Sequence, residues 1–315
     1  MAPLNVIFMG TAELSCASLA GLLQDPRLRV VAVVTQPDKP KGRNLAAQAS
    51  PVKLLALQAQ VPVLQPLRAR DESFLAELRT FQPDLIVVVA YGQILPQSLL
   101  DLPRHGCLNV HTSLLPMLRG AAPIQWAIAN GETETGVTIM KMDAGLDTGP
   151  ILTQQRTPIA PEDNAATLHE RLATLGAGLL IQTIPSYVTG QIVSQPQPAE
   201  ASSYAAKIKK EDGRIVWTQP AKQIWNRFRA FTPWPGAFTY CGDEPKLMLL
   251  KIWGATMVAR TGPAGEILSA DRDGIIVGCG QEALQITELQ REGGRCLPAR
   301  DFLAGNPLLP GQKLH

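Results

Sequence analysis

Four short runs, "NVIFMG" (5–10), "RVVAVVT" (29–35), "DLIVVVAYG" (84–92) and "GCLNVHT" (106–112), set apolar and mostly β-branched residues side by side without in/out alternation. A strand of that texture is covered on both faces, and a mostly parallel sheet flanked by helices supplies the cover. Helical patterns such as "ASLAGLLQD" and "ESFLAELRTF" lie between the runs, and "VPVLQ" and "GVTIMKM" extend the series. The predicted fold of this part is α/β, a Rossmann-like doubly wound mostly parallel sheet, in which ligands bind beyond the carboxyl ends of the strands.

At 315 residues the chain has room for two domains. A helix is predicted from Asp163 as N-cap through Leu168, Leu172, Leu175, Leu179 and Ile184, closing a first domain over 1–188. Residues 189–206 are rich in Pro, Gln, Ser and Ala and read as a linker. Over 207–315 the texture changes to "IVWTQP", "GAFTY", "LMLLKIWGA", "GEILSADRDGIIVGCG" and "EALQITELQ", short strands between Gly and Asp turns that suit a small antiparallel barrel.

The whole-chain charge of +2 hides a division. From Lys207 onward there are 15 basic and 11 acidic residues, net +4, which leaves −2 for the first 206. A weak attraction to phosphate is therefore expected of the last third. The five cysteines are scattered, with no CxxC or Cys/His cluster, so neither a disulfide framework nor a metal site is signalled. No run approaches a membrane span and the start lacks a basic, signal-like stretch, so the expectation is cytoplasmic. Gly10 stands alone at the end of the first strand; without GxGxxG it reads as a tight strand-to-helix turn, not a dinucleotide site.

In "NVHTSLLPMLRGAAPIQWAI", Asn109 and His111 sit two apart on a strand and emerge on one face. An amide donor beside an imidazole suits a carbonyl oxygen that gains negative charge. The next strand leads into the Gly/Asp loop of "GVTIMKMDAGLDTGPIL", which can carry Asp147 back toward the same place, where a carboxylate can fix an imidazole's tautomer. By itself the Asn/His pair reads sooner as a satisfied strand-end hydrogen-bonding pair, and Asp147 as an Asx-turn residue.

These two stretches together resemble the folate-dependent formyltransferases. "VVTQPDKPKGR", "SPVK", "PDLIVVVAYGQILP", "KEDGRIVW", "RAFTPWPGAFT" and "LQREGGR" are similar, in order and over nearly the whole chain, to the members that formylate methionyl-tRNA. The resemblance implies transfer of formyl from 10-formyltetrahydrofolate, with no metal, to the α-amino group of methionine on initiator tRNA. It puts the family's catalytic Asn, His and Asp on Asn109, His111 and Asp147. It implies folate contacts at Gln93, Ile94 and Leu95 and at the turn Ser113, Leu114, Leu115 and Pro116. It also makes the C-terminal domain an OB-like β-barrel that supports tRNA.

For the RNA, the resemblance points to the loop carrying Lys39, Lys41 and Arg43 and to Lys207, Lys209 and Lys210 before the barrel. Without it, either run reads as a solvated charged face. Two departures stand out. Family members often add lysines after Gly-Arg, where this chain has "NLAAQ", which places more of the contact on Arg43. "GTAELS" replaces the usual Pro-Asp-Phe after Gly-Thr. Trp234, between prolines, is predicted to pack within its domain. A monomer is expected. The rivals are a formyltransferase acting on a sugar nucleotide or purine precursor, which the basic loop and barrel oppose, and an RNA-binding module with a degenerate catalytic domain, which the intact Asn/His/Asp set opposes.

Overall fold

The computed structural model describes residues 2–41, 46–242 and 247–315, with the backbone only at 40, 41, 46 and 47. The chain forms two compact units, Met1–Pro123 with Glu134–Pro158 and His169–Ala205, and Ile124–Thr133 with Ile159–Leu168 and Ala206–His315. Up to residue 205 the elements are β1 (Leu4–Gly10), α1 (Leu14–Gln24), β2 (Leu28–Val34), β3 (Lys39–Lys41), β4 (Ala46–Gln48), α2 (Pro51–Gln58), β5 (Val63–Leu64), α3 (Glu72–Thr80), β6 (Leu85–Val89), α4 (Gln97–Leu100), β7 (Cys107–His111), β8 (Arg119–Gly120), α5 (Pro123–Ala129), β9 (Glu134–Lys141), β10 (Ile151–Pro158), α6 (Ala165–Val188) and β11 (Tyr204–Ala205).

Seven strands pair in the order β10-β9-β7-β6-β1-β2-β5. The unalternated runs form the parallel part, β7 to β5, and β6 is buried at every position. On one face Ile7, Met9, Ile86 and Val88 pack with Phe74, Leu75 and Leu78 of α3 and Leu99 and Leu100 of α4. On the other, Val110 lies so close to α6 that a Cβ on Gly176 would stand 2.8 Å from its Cγ1. The strand expected from "GVTIMKM" is β9, and it runs antiparallel to β7, pairing Asn109 with Met140 and His111 with Thr138. The cap of α6 differs from expectation: Asn164 Oδ1 accepts from the Ala166 and Thr167 amides, while Asp163 bonds the Ala160 amide and the Thr167 hydroxyl.

The segment expected as a linker is bonded along the first unit. Gln195 exchanges two backbone hydrogen bonds with Ile151, and β11 pairs in parallel with β8.

In the second unit, α7 (Ala221–Ala230) precedes β12 (Ala237–Cys241), β13 (Met248–Val258), β14 (Ile267–Asp271), β15 (Gly274–Gly278), β16 (Ala283–Arg291), β17 (Cys296–Pro298) and α8 (Ala299–Gly305). The sheet is antiparallel, in the order β12-β13-β16-β15-β14, with β17 on β16. The terminal residues bridge its two edges, Leu314 to Cys241 and Lys313 to Glu266. Backbone bonds thus join β14 to β12 through the chain end, the device by which a small barrel hides its edges.

Two expectations for this unit are corrected. "IVWTQP" is not a strand; Ile215 and Trp217 are buried, but the stretch is held only by isolated bridges at its two ends, Arg214 to Phe238 and Pro220 to Gln281, and turns between them before Pro220 caps α7. Trp234 is 58% exposed, whereas the nearby Phe231 is the buried aromatic and packs edge-on against Trp126. Among the described residues no helix is long and apolar enough to cross a membrane.

Leu314 is 4% exposed within the core of this unit. Leu314→Ala is expected to cost about 3 kcal/mol, read as a lower guanidinium midpoint for the second unit. An unchanged midpoint would mean that the terminal bridge contributes nothing to its stability.

Candidate active site

Side-chain parity on β7 sets the site. Cys107, Asn109 and His111 face one side of the sheet, Leu108 and Val110 the other. Cys107 packs into the cluster with Leu99 and Leu100. It is 1% exposed and burial pushes its thiol up to about 12, so it is a packing residue and no nucleophile. Two and four residues on, that apolar cover ends and the same face carries Asn109 and His111, 9% and 6% exposed.

Because β9 is antiparallel, its end lies beside the start of β7, and the loop that follows has to fold back along β7 to bring Asp147 to Asn109. Asp147 turns there at φ +53, in the left-handed region. Its Oδ1 accepts from Asn109 Nδ2 at 3.3 Å and its Oδ2 from the Gly120 amide at 2.8 Å. Oδ2 also stands 3.7 Å from His111 Nδ1, beyond hydrogen-bond distance but close enough for ionic attraction. His111 Nε2 lies 3.0 Å from the Leu118 carbonyl, so Nε2 carries a proton and donates. Both ring nitrogens are thus turned toward acceptors.

Gly120 cannot be another residue without rearrangement. Its φ is +112, and a Cβ would meet the Tyr204 ring at 2.6 Å and the Ala205 carbonyl oxygen at 2.8 Å. Behind the site, Thr138 Oγ1 accepts from the Leu115 amide and Gln154 Nε2 and donates to the Ser113 carbonyl, tying the turn after β7 to β9 and β10.

A cleft of about 560 Å³ opens over these groups. Asn109, His111 and Asp147 line it together with Gln93, Ile94 and Leu95, Leu146 on the Asp147 loop, and Gly120 and Tyr204 on the opposite side. It lies past the carboxyl ends of β6 and β7, one strand from the reversal of strand order between β1 and β6. Ile94 is 83% exposed, which rules out core packing for it, whereas Leu95 is buried. The Gln93 side chain is engaged elsewhere, accepting from the Ala69 amide and donating to the Leu67 carbonyl, so it holds the neighbouring loop in place.

Ser113, Leu114, Leu115 and Pro116 are not brought into the cleft lining. Ser113 and Leu115 are buried, and the Ser113 hydroxyl donates to the Met117 carbonyl. Lys39 is exposed, with its Nζ 2.8 Å from Gln36 Oε1. Arg43 lies outside the described residues, as does the Lys41 side chain. Lys53, in the first turn of α2, is committed to Asp38 and Gln65; the bonds that Lys53 and Gln65 each donate to the Asp38 carboxyl hold it below its usual range. In the second unit Lys207, Lys209 and Lys210 are all exposed. Sequence reading missed the Leu118 carbonyl, the Gly120 amide and Gln197, whose side chain bonds the Asp147 and Gly149 carbonyls. Among the described residues no group of three or more His, Cys, Asp or Glu side chains could hold a metal.

The family model described as Formyl transferase matches residues 4–184, and Formyl transferase, C-terminal domain, matches 207–307. A methionyl-tRNA formyltransferase of Geobacter sulfurreducens is 50% identical over 314 residues, covering 100% of this chain and 98% of its own. The chain belongs to the methionyl-tRNA formyltransferase family. A relative of the same name from Myxococcus xanthus is 51% identical over 309 residues, 98% of this chain and 97% of its own. The fold of this family member is also that of more distant structures. An N-formyltransferase from Helicobacter canadensis, in complex with folinic acid and dTDP-3-aminofucose, superposes with a TM-score of 0.66 at 19% identity, over 91% of this chain and 99% of that one. HypX from Aquifex aeolicus with tetrahydrofolic acid gives 0.61 at 18%, over 100% of this chain and 51% of that one.

Maleimide treatment of the native formyltransferase is expected to modify the exposed Cys296 and to leave Cys107 untouched until the protein unfolds. Peptide mass mapping that finds Cys107 modified in the native state would remove it from the core.

Proposed function

We propose that Asn109, His111 and Asp147 are the groups through which this chain carries out its reaction, with the cleft above them as the folate slot. The enzyme moves the formyl group of 10-formyltetrahydrofolate to the α-amino group of methionine on initiator tRNA, giving N-formylmethionyl-tRNA for translation initiation. Folate and tRNA are its substrates.

The observation that carries the reading is the convergence of an amide N–H donor, an imidazole nitrogen and a carboxylate on the floor of the cleft. Asn109 Nδ2 has two hydrogens, one aimed at Asp147 and one left for a substrate oxygen. His111 Nδ1 is not hydrogen-bonded to the carboxylate; with Nε2 donating to Leu118, Nδ1 can donate to an oxygen placed beside it only when the ring holds both protons, a form that the nearby Asp147 carboxylate favours. The neutral methionyl amine attacks the formyl carbon, forming the N–C bond, and the carbonyl oxygen takes up negative charge between Asn109 and His111. The C–N10 bond then breaks. The proton lost by the amine passes to Asp147, directly or through water, and N10 of the departing tetrahydrofolate gains one.

The apolar rim of Ile94, Leu95 and Leu146 suits a flat heterocycle in a mostly dry slot, with backbone groups at Gln93 and beyond for its polar edge. Ser113, Leu114, Leu115 and Pro116 serve this slot from behind, by holding the end of β7. Lys39, Lys41, Arg43, Lys207, Lys209 and Lys210 are assigned to tRNA phosphates, a salt-dependent attraction independent of sequence. The enzyme is read as a cytoplasmic monomer of two domains.

Transfer of labelled formyl to methionyl initiator tRNA, beside methionyl elongator tRNA, tests the assignment. His111→Ala is expected to lower kcat on the order of 10²-fold or more while the folate still binds. A variant with full activity would end the catalytic reading of His111, and equal transfer to the elongator would end the initiator reading.

A further inference from the structure

Asp147 sits at φ +53, in a left-handed conformation that an Asp tolerates but does not by itself enforce, so a fixed carboxylate needs a constraint on the main chain. The bonds to its carboxylate do not supply that constraint, because they act on the side chain. The constraint comes from Gln197, fifty residues away in sequence. Gln197 Nε2 donates to the Asp147 carbonyl at 2.9 Å and to the Gly149 carbonyl at 2.7 Å. Its Oε1 accepts twice from Arg119, from Nε at 3.0 Å and Nη2 at 2.8 Å. Both hydrogens and both lone pairs of the amide are in use, so the side chain has one orientation only.

Arg119 is itself in register with the site. Its amide bonds the Ser203 carbonyl at 2.9 Å, and the Leu118 amide bonds Ser203 Oγ at 2.9 Å. Leu118 is the residue whose carbonyl holds His111 Nε2, and Gly120 is the residue whose amide holds Asp147 Oδ2. The stretch 195–205 therefore touches both partners of His111, the carbonyl on one side of the ring and the carboxylate on the other.

We propose that Gln197 is a positioning residue for formyl transfer, acting through the Asp147 main chain to hold the carboxylate against Asn109 and His111. The proposal rests on the catalytic reading of Asp147. A displaced carboxylate misplaces the proton acceptor, and a shift on the order of 1 Å is enough for a large rate loss. The effect belongs mainly in kcat, since the Gln197 side chain does not line the cleft, with a smaller change in the KM for folate through Leu146 on the same loop.

The experiment is a double-mutant cycle on kcat with Gln197→Ala and Asp147→Asn. The expected results are a loss on the order of ten- to a hundredfold for Gln197→Ala alone, a larger loss for Asp147→Asn, and a double variant within about twofold of Asp147→Asn. Residues that act as one unit lose their activity once. If Gln197→Ala costs the same factor in both backgrounds, Gln197 merely supports the fold and the proposal is wrong. If Asp147→Asn alone is harmless, the catalytic reading of Asp147 fails first, and the proposal with it. Should Gln197→Ala not fold, Gln197→Glu serves in its place. It keeps the acceptor for Arg119 and so the strap, but sets an oxygen against the two carbonyls. It is expected to melt near the parent temperature with the same loss of kcat; full activity in it would equally overturn the proposal.

Discussion

Complete burial of the central strands is the constraint from which the site follows. A strand such as β6, hidden on both faces, has no place for a polar side chain, since an unpaired polar group in that setting costs about 1–3 kcal/mol or more. β7 keeps the rule at Cys107, Leu108 and Val110 and departs from it at Asn109 and His111, where the apolar cover ends but the residues stay buried. Those two side chains therefore need partners. The need is met by Asp147 and by the carbonyl of Leu118, each brought in from a different irregular segment. Each of those segments then needs a support of its own, and the chain from Gln195 to Ala205 provides it.

This succession of satisfied groups is what makes the donors useful. Hydrogen-bond donors that are already oriented need no reorganisation when charge appears on a substrate oxygen, and their effect is greatest where water is excluded. Asn109 and His111 are oriented by bonds that use one hydrogen of the amide and the Nε2 side of the ring. The groups left over face the cleft. Thr138, opposite His111 on β9, stiffens the turn from behind with three hydrogen bonds of its own.

Much of this was legible in the sequence. The unalternated runs predicted the parallel part of the sheet, and the spacing of two between Asn109 and His111 placed both side chains on one face. Asp147 was named through the resemblance and by its loop. Other parts left no pattern to read. Trp234 resembles a core tryptophan by its proline neighbours, yet it is exposed, and the buried aromatic of that stretch is Phe231. "IVWTQP" alternates like a strand because Ile215 and Trp217 face the core, although hardly any ladder forms there.

The sequence by itself determined the fold class and the chemistry of the strand end, because both depend on residue type at short, regular spacing. The tertiary structure alone decided the rest. It made the direction of β9, the folding back of the Asp147 loop and the use of 195–205 as a strap. The reason is physical: these features depend on hydrogen bonds to main-chain atoms across long separations, as between Gln197 and the Asp147 carbonyl, and a main-chain carbonyl has no residue type to betray it. A Pro-, Gln- and Ser-rich stretch has the same composition whether it hangs free or is bonded throughout, and only the partners in space distinguish the two.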